Sequence, residues 1–562
     1  MSTSNISRLT GAIACLLLCT CRNNGKAPAP EQIAALQLKE GKLIVCGPLQ
    51  SKFGTLTFNA TVSDANVAPF ALGLKLLHSF EYDEAEKVFA GIIQSEPSCY
   101  MAYWGIAMSN FHPLWTPPLP EELKKGATAI AIAKKLPSPT PREAKYLEAI
   151  DAFYAGYEKD SHRTRCLRFE AAMRDLQAAY PDDREAKVFY ALALDAAADP
   201  ADKTYQKQLV AGELLNTLYA SYPDHPGVVH YLIHSYDAPG LAQNALEAAR
   251  RYAALAPSSA HALHMPSHIF TRLGMWNECI QSNQEAASSA QCYAEQAGIK
   301  GHWDEELHAL DYMMYGYLQQ GDNLNSRKQL NYLSAIREVH PANFKVAYAF
   351  AAIPARMALE NKDWKKAATL QTPSANFDWT AYPWQRSIIH FARALGAAHT
   401  GNQANAALEI GIMQQLHDTL IAQKDSYKAN QVAVQINIAR SWWYAGQGAI
   451  DTAVSYMELA AAMEDNTEKH PVTPAEVLPA REQLGDLLLS IGRPKEALVA
   501  YDKSMKKNPN RFNSLYGAAQ AASQGKEKAR AAELYVQLLK MATANSDRPE
   551  LSVARHYHEM YN

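Results

Sequence analysis

Residues 73–97, "GLKLLHSFEYDEAEKVFAGIIQSEP", set Gly73, Ala85, Phe89 and Pro97 at intervals of twelve, four and eight. Near the other end, residues 485–509, "GDLLLSIGRPKEALVAYDKSMKKNP", repeat those intervals with Gly485, Ala497, Tyr501 and Pro509. Packing explains why these residue types recur. Small residues at Gly73 and Ala85 let two antiparallel helices approach closely, Phe89 fills the gap to the next hairpin, and Pro97 ends the second helix. Such a chain specifies helix pairs stacked in a row.

The unit propagates at 34 residues, since Ala107 follows Gly73 by that distance and Ala519 follows Gly485. Gly274, Gly321, Gly401 and Gly492 fall where a left-handed residue closes the first helix of a pair. Thr140-Pro141-Arg142-Glu143 and Thr473-Pro474-Ala475-Glu476 read as helix starts, with a capping Thr, a first-turn Pro and a Glu that bonds back. The pattern resembles the tetratricopeptide (TPR) repeat. That resemblance implies an all-α fold, a TPR-like α-solenoid in which helix hairpins form a right-handed superhelix. The period predicts about nine to eleven helix pairs. Ahead of them "FGTLTFNATVS" alternates and is rich in β-branched residues, which predicts a short strand or an extended lead-in.

Composition agrees, because Ala, Leu, Glu, Lys and Gln are helix-forming material and 562 residues exceed one ordinary core. The net charge of -3, with no run of Lys or Arg to track phosphates, argues against a nucleic-acid partner. The segment "SRLTGAIACLLLCTCRNNGKAPAPEQ" has one Arg, a short apolar run and a polar Pro- and Ala-containing stretch, as a secretory signal does. Its apolar run is too short to span a bilayer. Cys21 is the candidate lipidation site, so the chain is expected to be exported to the cell envelope, periplasmic or held as a lipoprotein, with membrane contact only through that lipid. The expected organisation is a signal over 1–21, tether and lead-in over 22–65, a TPR array with a His-rich groove over 66–340, and a C-terminal TPR array over 341–562. Cys46, Cys99, Cys166, Cys279 and Cys292 form no CxxC pair, and their wide spacing and odd number read as buried small hydrophobes rather than a disulfide framework.

The register also places the histidines. Eight of the eighteen lie between His225 and His308. His230 and His234 occupy the fifth and ninth places of one unit, and His264 and His268 the same places one period later. In TPR proteins the second, fifth and ninth places of each first helix line the concave face; by that resemblance His261 joins the groove, and the next unit contributes His308, Asp311 and Tyr315. Two histidines four apart on a helix share a face and can share a metal, with a third ligand from the neighbouring helix. His230, His234, His264 and His268 are therefore the candidate metal ligands, Asp311 a further ligand or the group that orients an imidazole, and zinc, iron or copper the candidate cofactor. Pro266 is expected to interrupt the helix between His264 and His268. The competing expectation is a polar, aromatic groove without metal. No catalytic motif appears, and Ser267 beside His268 sits at a close-packing position.

The segments "CYMAYWGIAMS", "YPDDREAKVFYALAL", "HPGVVHYLIH" and "HALHMPSHIFTRLGMW", with the lead-in, are similar to a group of exported bacterial TPR proteins over most of residues 52–320. The resemblance implies the fold and no particular reaction. The leading functional expectation is a non-enzymatic binding or scaffold protein that holds a peptide, protein partner or complex in its concave groove. The alternative is a metal-binding protein or metalloenzyme built on the clustered histidines.

Overall fold

A computed structural model describes residues 27–46, 53–114, 117–137, 140–373 and 377–561. The segment expected to be a signal, with Cys15, Cys19 and Cys21, lies outside the described residues. The chain is an all-α, TPR-like solenoid. From Asp64 to Met541 helices pair in succession, and the helix Glu550–Tyr561 closes the row. Counting Ala260–His264 and Pro266–Leu273 as one bent helix gives twelve pairs among the described residues, just above the expected range. The excess comes from units whose signature is degenerate, such as the one ending in the five-residue helix Trp364–Ala368.

The anchoring residues pack as their spacing requires. A Cβ at Gly73 would lie 2.6 Å from the ring of Phe89, and one at Gly105, on the next helix, 2.5 Å from it. Tyr501 is wedged in the same way between Gly485 and Gly517. Fully burying such a ring stabilises by about 1.5–3 kcal/mol, and only glycines on both sides leave it room. Gly274, Gly321, Gly401 and Gly492 all have positive φ, as the turns demand.

The lead-in is extended and has no strand partner. Its Gly54 and Thr55 N–H groups donate to the carbonyls of Leu255 and Asp224 at 3.1 and 2.8 Å, so helix-terminal carbonyls and loops take the place of a sheet. Among the described residues the only strands are the two-residue pair His302–Trp303 and Val339–His340. Thr140 caps its helix as read, and the Glu143 carboxylate accepts from the Thr140 hydroxyl at 2.8 Å as well as from Thr61. The Thr473 motif does not start a helix: the helix begins at Ala480, because Glu476 is drawn to Lys507 at 3.0 Å. Two of the five cysteines depart from the expected buried hydrophobes. Cys99, Cys166 and Cys279 are buried thiols, but Cys46 and Cys292 form a disulfide across 246 residues. The lead-in folds back onto the helix Trp276–Ala297, where Ser289 donates to the Cys46 carbonyl, and spacing along the chain does not reveal that return.

The superhelix also folds onto itself. Trp276 donates to the carbonyl of Asn510 at 2.8 Å, Ser546 donates to that of Gly321 at 2.7 Å, and Arg511 reaches Tyr315, Glu360 and Glu482. The loop after the helix Ile450–Asp465 brings Glu468 to Tyr205 and Lys203, and Lys469 to Asp237. C-terminal residues thereby cover the histidine-bearing helices. No helix of the described residues is long and apolar enough to cross a membrane.

Candidate metal centre

Three successive first helices carry the histidines: Pro226–Tyr236, the bent helix over 260–273, and Asp304–Gln319. Pro266 stands in the first turn of Pro266–Leu273, where its missing N–H costs nothing, and the His268 N–H donates to the Met265 carbonyl. The helical path continues, so the expected interruption does not separate His264 from His268.

The six histidines gather as two triads, His230–His234–His261 and His264–His268–His308, each with its ligand nitrogens within 4.8 Å of one another. In the first, His230 Nε2 lies 2.9 Å from His234 Nε2 and 3.2 Å from His261 Nε2. In the second, His264 Nε2 lies 3.1 Å from His268 Nε2. Three imidazole nitrogens about 2.0–2.1 Å from one tetrahedral ion stand about 3.3–3.4 Å from each other. The separations of 2.9, 3.2 and 3.1 Å lie a few tenths of an ångström inside that spacing.

The opposite ring nitrogens decide the tautomers. His264 Nδ1 is 2.6 Å from Asn283 Oδ1, and the Asn283 amide donates to the Cys279 carbonyl, so its oxygen faces the ring and accepts. His268 Nδ1 lies 3.0 Å from Asp237 Oδ2, and Asp237 is held by Arg272 at 2.8 Å and by Lys469 at 3.4 Å. His230 Nδ1 lies 2.6 Å from the His78 carbonyl. Each of these Nδ1 atoms must carry its hydrogen, which leaves each Nε2 with a bare lone pair. His264 and His268 thus aim two lone pairs at each other. A cation between them relieves that opposition, and the Tyr312 hydroxyl, 3.5 Å from His268 Nε2, is the protein donor within reach. A proton is disfavoured, because burial pushes the imidazoles of His230, His234, His261, His264 and His308 well below the ordinary value and lowers His268 despite the pull of Asp237. An outer partner on the far nitrogen is also what fixes a metal-bound imidazole.

Asp311 and Tyr315 are not brought to the triads. Asp311 pairs with Arg356, a buried guanidinium that would otherwise lack a counter-charge, so it neither ligates nor orients an imidazole. Tyr315 accepts from Arg511 at 3.0 Å and packs edge-on against Trp276. Ser267 is fully buried at the helix contact. Spacing does not single out Asn283, Asp237 or Phe80. Asp237 caps the helix Pro226–Tyr236, three residues after His234, so its proximity has a sequence signal in hindsight; Asn283, on a second helix, has none. Phe80 stacks on His234 and His261 and meets His230 edge-on, and it is held at φ 57°. A bulky residue in the left-handed region marks a position fixed by its surroundings.

Two cavities flank the cluster. One of about 690 Å³ reaches His261 past Phe80, with Trp303, Glu305 and Lys345 on its walls. The other, of about 360 Å³, is lined by both His234 and His268, beside Asp237, Arg272 and Tyr205.

A third group, His78–Glu185–His225, has similar ingredients and a different arrangement. Val228 N–H donates to His225 Nδ1, so His225 Nε2 carries the hydrogen and donates to Glu185 at 2.6 Å. His78 Nε2 lies 2.8 Å from the other carboxylate oxygen, and its Nδ1 meets the Tyr231 hydroxyl at 3.0 Å. Both imidazoles hold Glu185 far below the usual carboxylate range against its burial. This group is satisfied by its own hydrogens, and it fixes the His78 carbonyl that orients His230.

No family description matches the chain, and no curated protein matches it. Among solved structures, the chain is similar to a tetratricopeptide repeat protein from Parabacteroides merdae, at 13% identity and a TM-score of 0.28, over 54% of this chain and 98% of that one. It is also similar to yeast Tom70, at 11% identity and a TM-score of 0.35, over 88% of this chain and 96% of that one.

Proposed function

We propose that this protein binds transition-metal ions at two adjacent three-histidine sites, His230–His234–His261 and His264–His268–His308. The observation that carries the reading is the pair of opposed lone pairs on His264 and His268, each ring having its other nitrogen committed as a donor. Imidazole-only sites suit zinc, copper or iron, and three protein ligands leave a position for water or substrate. Export to the cell envelope, with lipid on Cys21 as the membrane tether, belongs to this reading; the Cys46–Cys292 disulfide supports it, since such bonds persist in oxidising compartments. The test is metal analysis of the purified protein after loading and desalting. Two ions per chain are expected, falling to one in His268→Ala; metal well below one per chain, unchanged by the substitution, overturns the proposal.

A second reading, a scaffold that holds a peptide or protein partner, is favoured by the 690 Å³ cavity. Its wall joins Trp303, stacked on Tyr293, with Glu305 and Lys345, and so offers apolar and charged contacts to an inserted side chain. A partner that co-purifies with the wild type and is lost in Trp303→Ala, with metal content unchanged, is the outcome that reading requires.

A further inference from the structure

We infer that the two triads form one dinuclear copper centre that takes dioxygen between its ions, an inference that rests on the metal-binding reading above. The triads adjoin: the ring centroids of His234, from the first, and His268, from the second, are 6.5 Å apart. Those two rings both line the 360 Å³ cavity, so a small ligand entering there meets one ligand of each site. Phe80 covers the first triad on the side of the larger cavity, and Tyr312 packs against His264 and His268, which leaves the smaller cavity as the approach to both sites at once.

The ligand set selects the metal. Neither triad holds a thiolate or a carboxylate, so the two-histidine, one-carboxylate arrangement of non-haem iron is absent from both. Of the two divalent ions, copper binds nitrogen sites more tightly than zinc. Charge points the same way. The carboxylate bonded to the triads, Asp237, is already committed to Arg272 and Lys469, so two divalent ions would bring about four positive charges into a buried, neutral ligand shell. Monovalent copper halves that charge, and an oxidised pair needs an anion between its ions. Dioxygen supplies one. Each copper(I) gives up one electron, dioxygen accepts both and keeps its O–O bond, one bond forms to each ion, and no proton moves.

The experiment uses the full chain, loaded with copper(I) without air, desalted and then exposed to oxygen, with copper content and electron paramagnetic resonance read on the same sample. Two coppers per chain, an X-ray absorption edge of copper(II) and a spin count near zero are expected, because the two oxidised ions couple through the shared ligand; spin silence with a copper(I) edge means that no oxygen was taken up and overturns the inference. His308→Ala is expected to hold one copper and, oxidised, to show one full spin; His261→Ala supplies the mirror case, and the wild-type spin count stands alone if either variant fails to fold. Two bound coppers with two independent spins overturn the inference and leave the two metal sites standing. Two bound zinc ions with copper refused do the same. No retained metal of any kind overturns both.

Discussion

His264–His268–His308 and His78–Glu185–His225 are both buried groups of three titratable side chains, and they differ in where their hydrogens point. In the second, Glu185 stands between two imidazoles and receives a hydrogen from each. In the first, the carboxylate and the amide sit behind the rings, take the Nδ1 hydrogens and leave the Nε2 lone pairs face to face. The same residue types make a closed network in one place and a set of opposed acceptors in the other. What separates them is the partner of the far nitrogen, more than the count of histidines.

Acid tests this contrast with the largest expected effect. The six triad imidazoles have native values lowered from 6.5, so below 6.5 the unfolded chain binds more protons than the native one. Their contribution to stability is full above 6.5 and is lost as pH falls toward the native values, with a limiting slope of about 1.4 kcal/mol per pH unit for each residue. His78 of the closed group, also lowered from 6.5 by burial, shares that window as one residue against six, while Glu185, lowered from 4.5, loses its contribution only in stronger acid. Urea midpoints of chelated protein are therefore expected to fall steeply between pH 6.5 and 5, with a second loss below 4.5. A flat profile through mild acid contradicts the burial argument.

Removing the carboxylate from the closed network comes next. Glu185→Ala strands two buried N–H groups and is expected to cost about 3–5 kcal/mol in urea unfolding, while metal content per folded chain stays at the wild-type value. A fall in metal content with no loss of stability would exchange the roles of the two groups. Metal binding itself should stabilise by about 2.7 kcal/mol per site at a hundredfold excess over Kd. In a thermal scan that gain is expected to shrink in His268→Ala and to persist in His225→Ala. The smallest effect concerns the group behind the ring: Asp237→Asn is expected to weaken metal affinity about 10–100-fold in a competition titration, with the ligands themselves intact.

The repeat register made much of this legible. Glycine and aromatic spacing gave the hairpins, and the fifth and ninth places brought His230, His234, His264 and His268 onto facing helices, with His261 and His308 as the third members. A 34-residue period carries that information because packing repeats along the solenoid. Contacts that leave the period were not legible. Asp311 fits the register, yet Arg356 claims it from a later unit; Cys46 meets Cys292 only because the lead-in doubles back; and Arg511 and Lys469 arrive through closure of the superhelix. Thr473 has the letters of a helix start, but Glu476 is bound to Lys507.

Lone-pair direction sets His264–His268–His308 apart from His78–Glu185–His225, and anomalous diffraction from metal-loaded crystals reads out the difference. One peak is expected among the Nε2 atoms of His230, His234 and His261, one at His264, His268 and His308, and none at His78–Glu185–His225. A peak at the Glu185 group, or density at neither triad under saturating metal, would contradict that expectation.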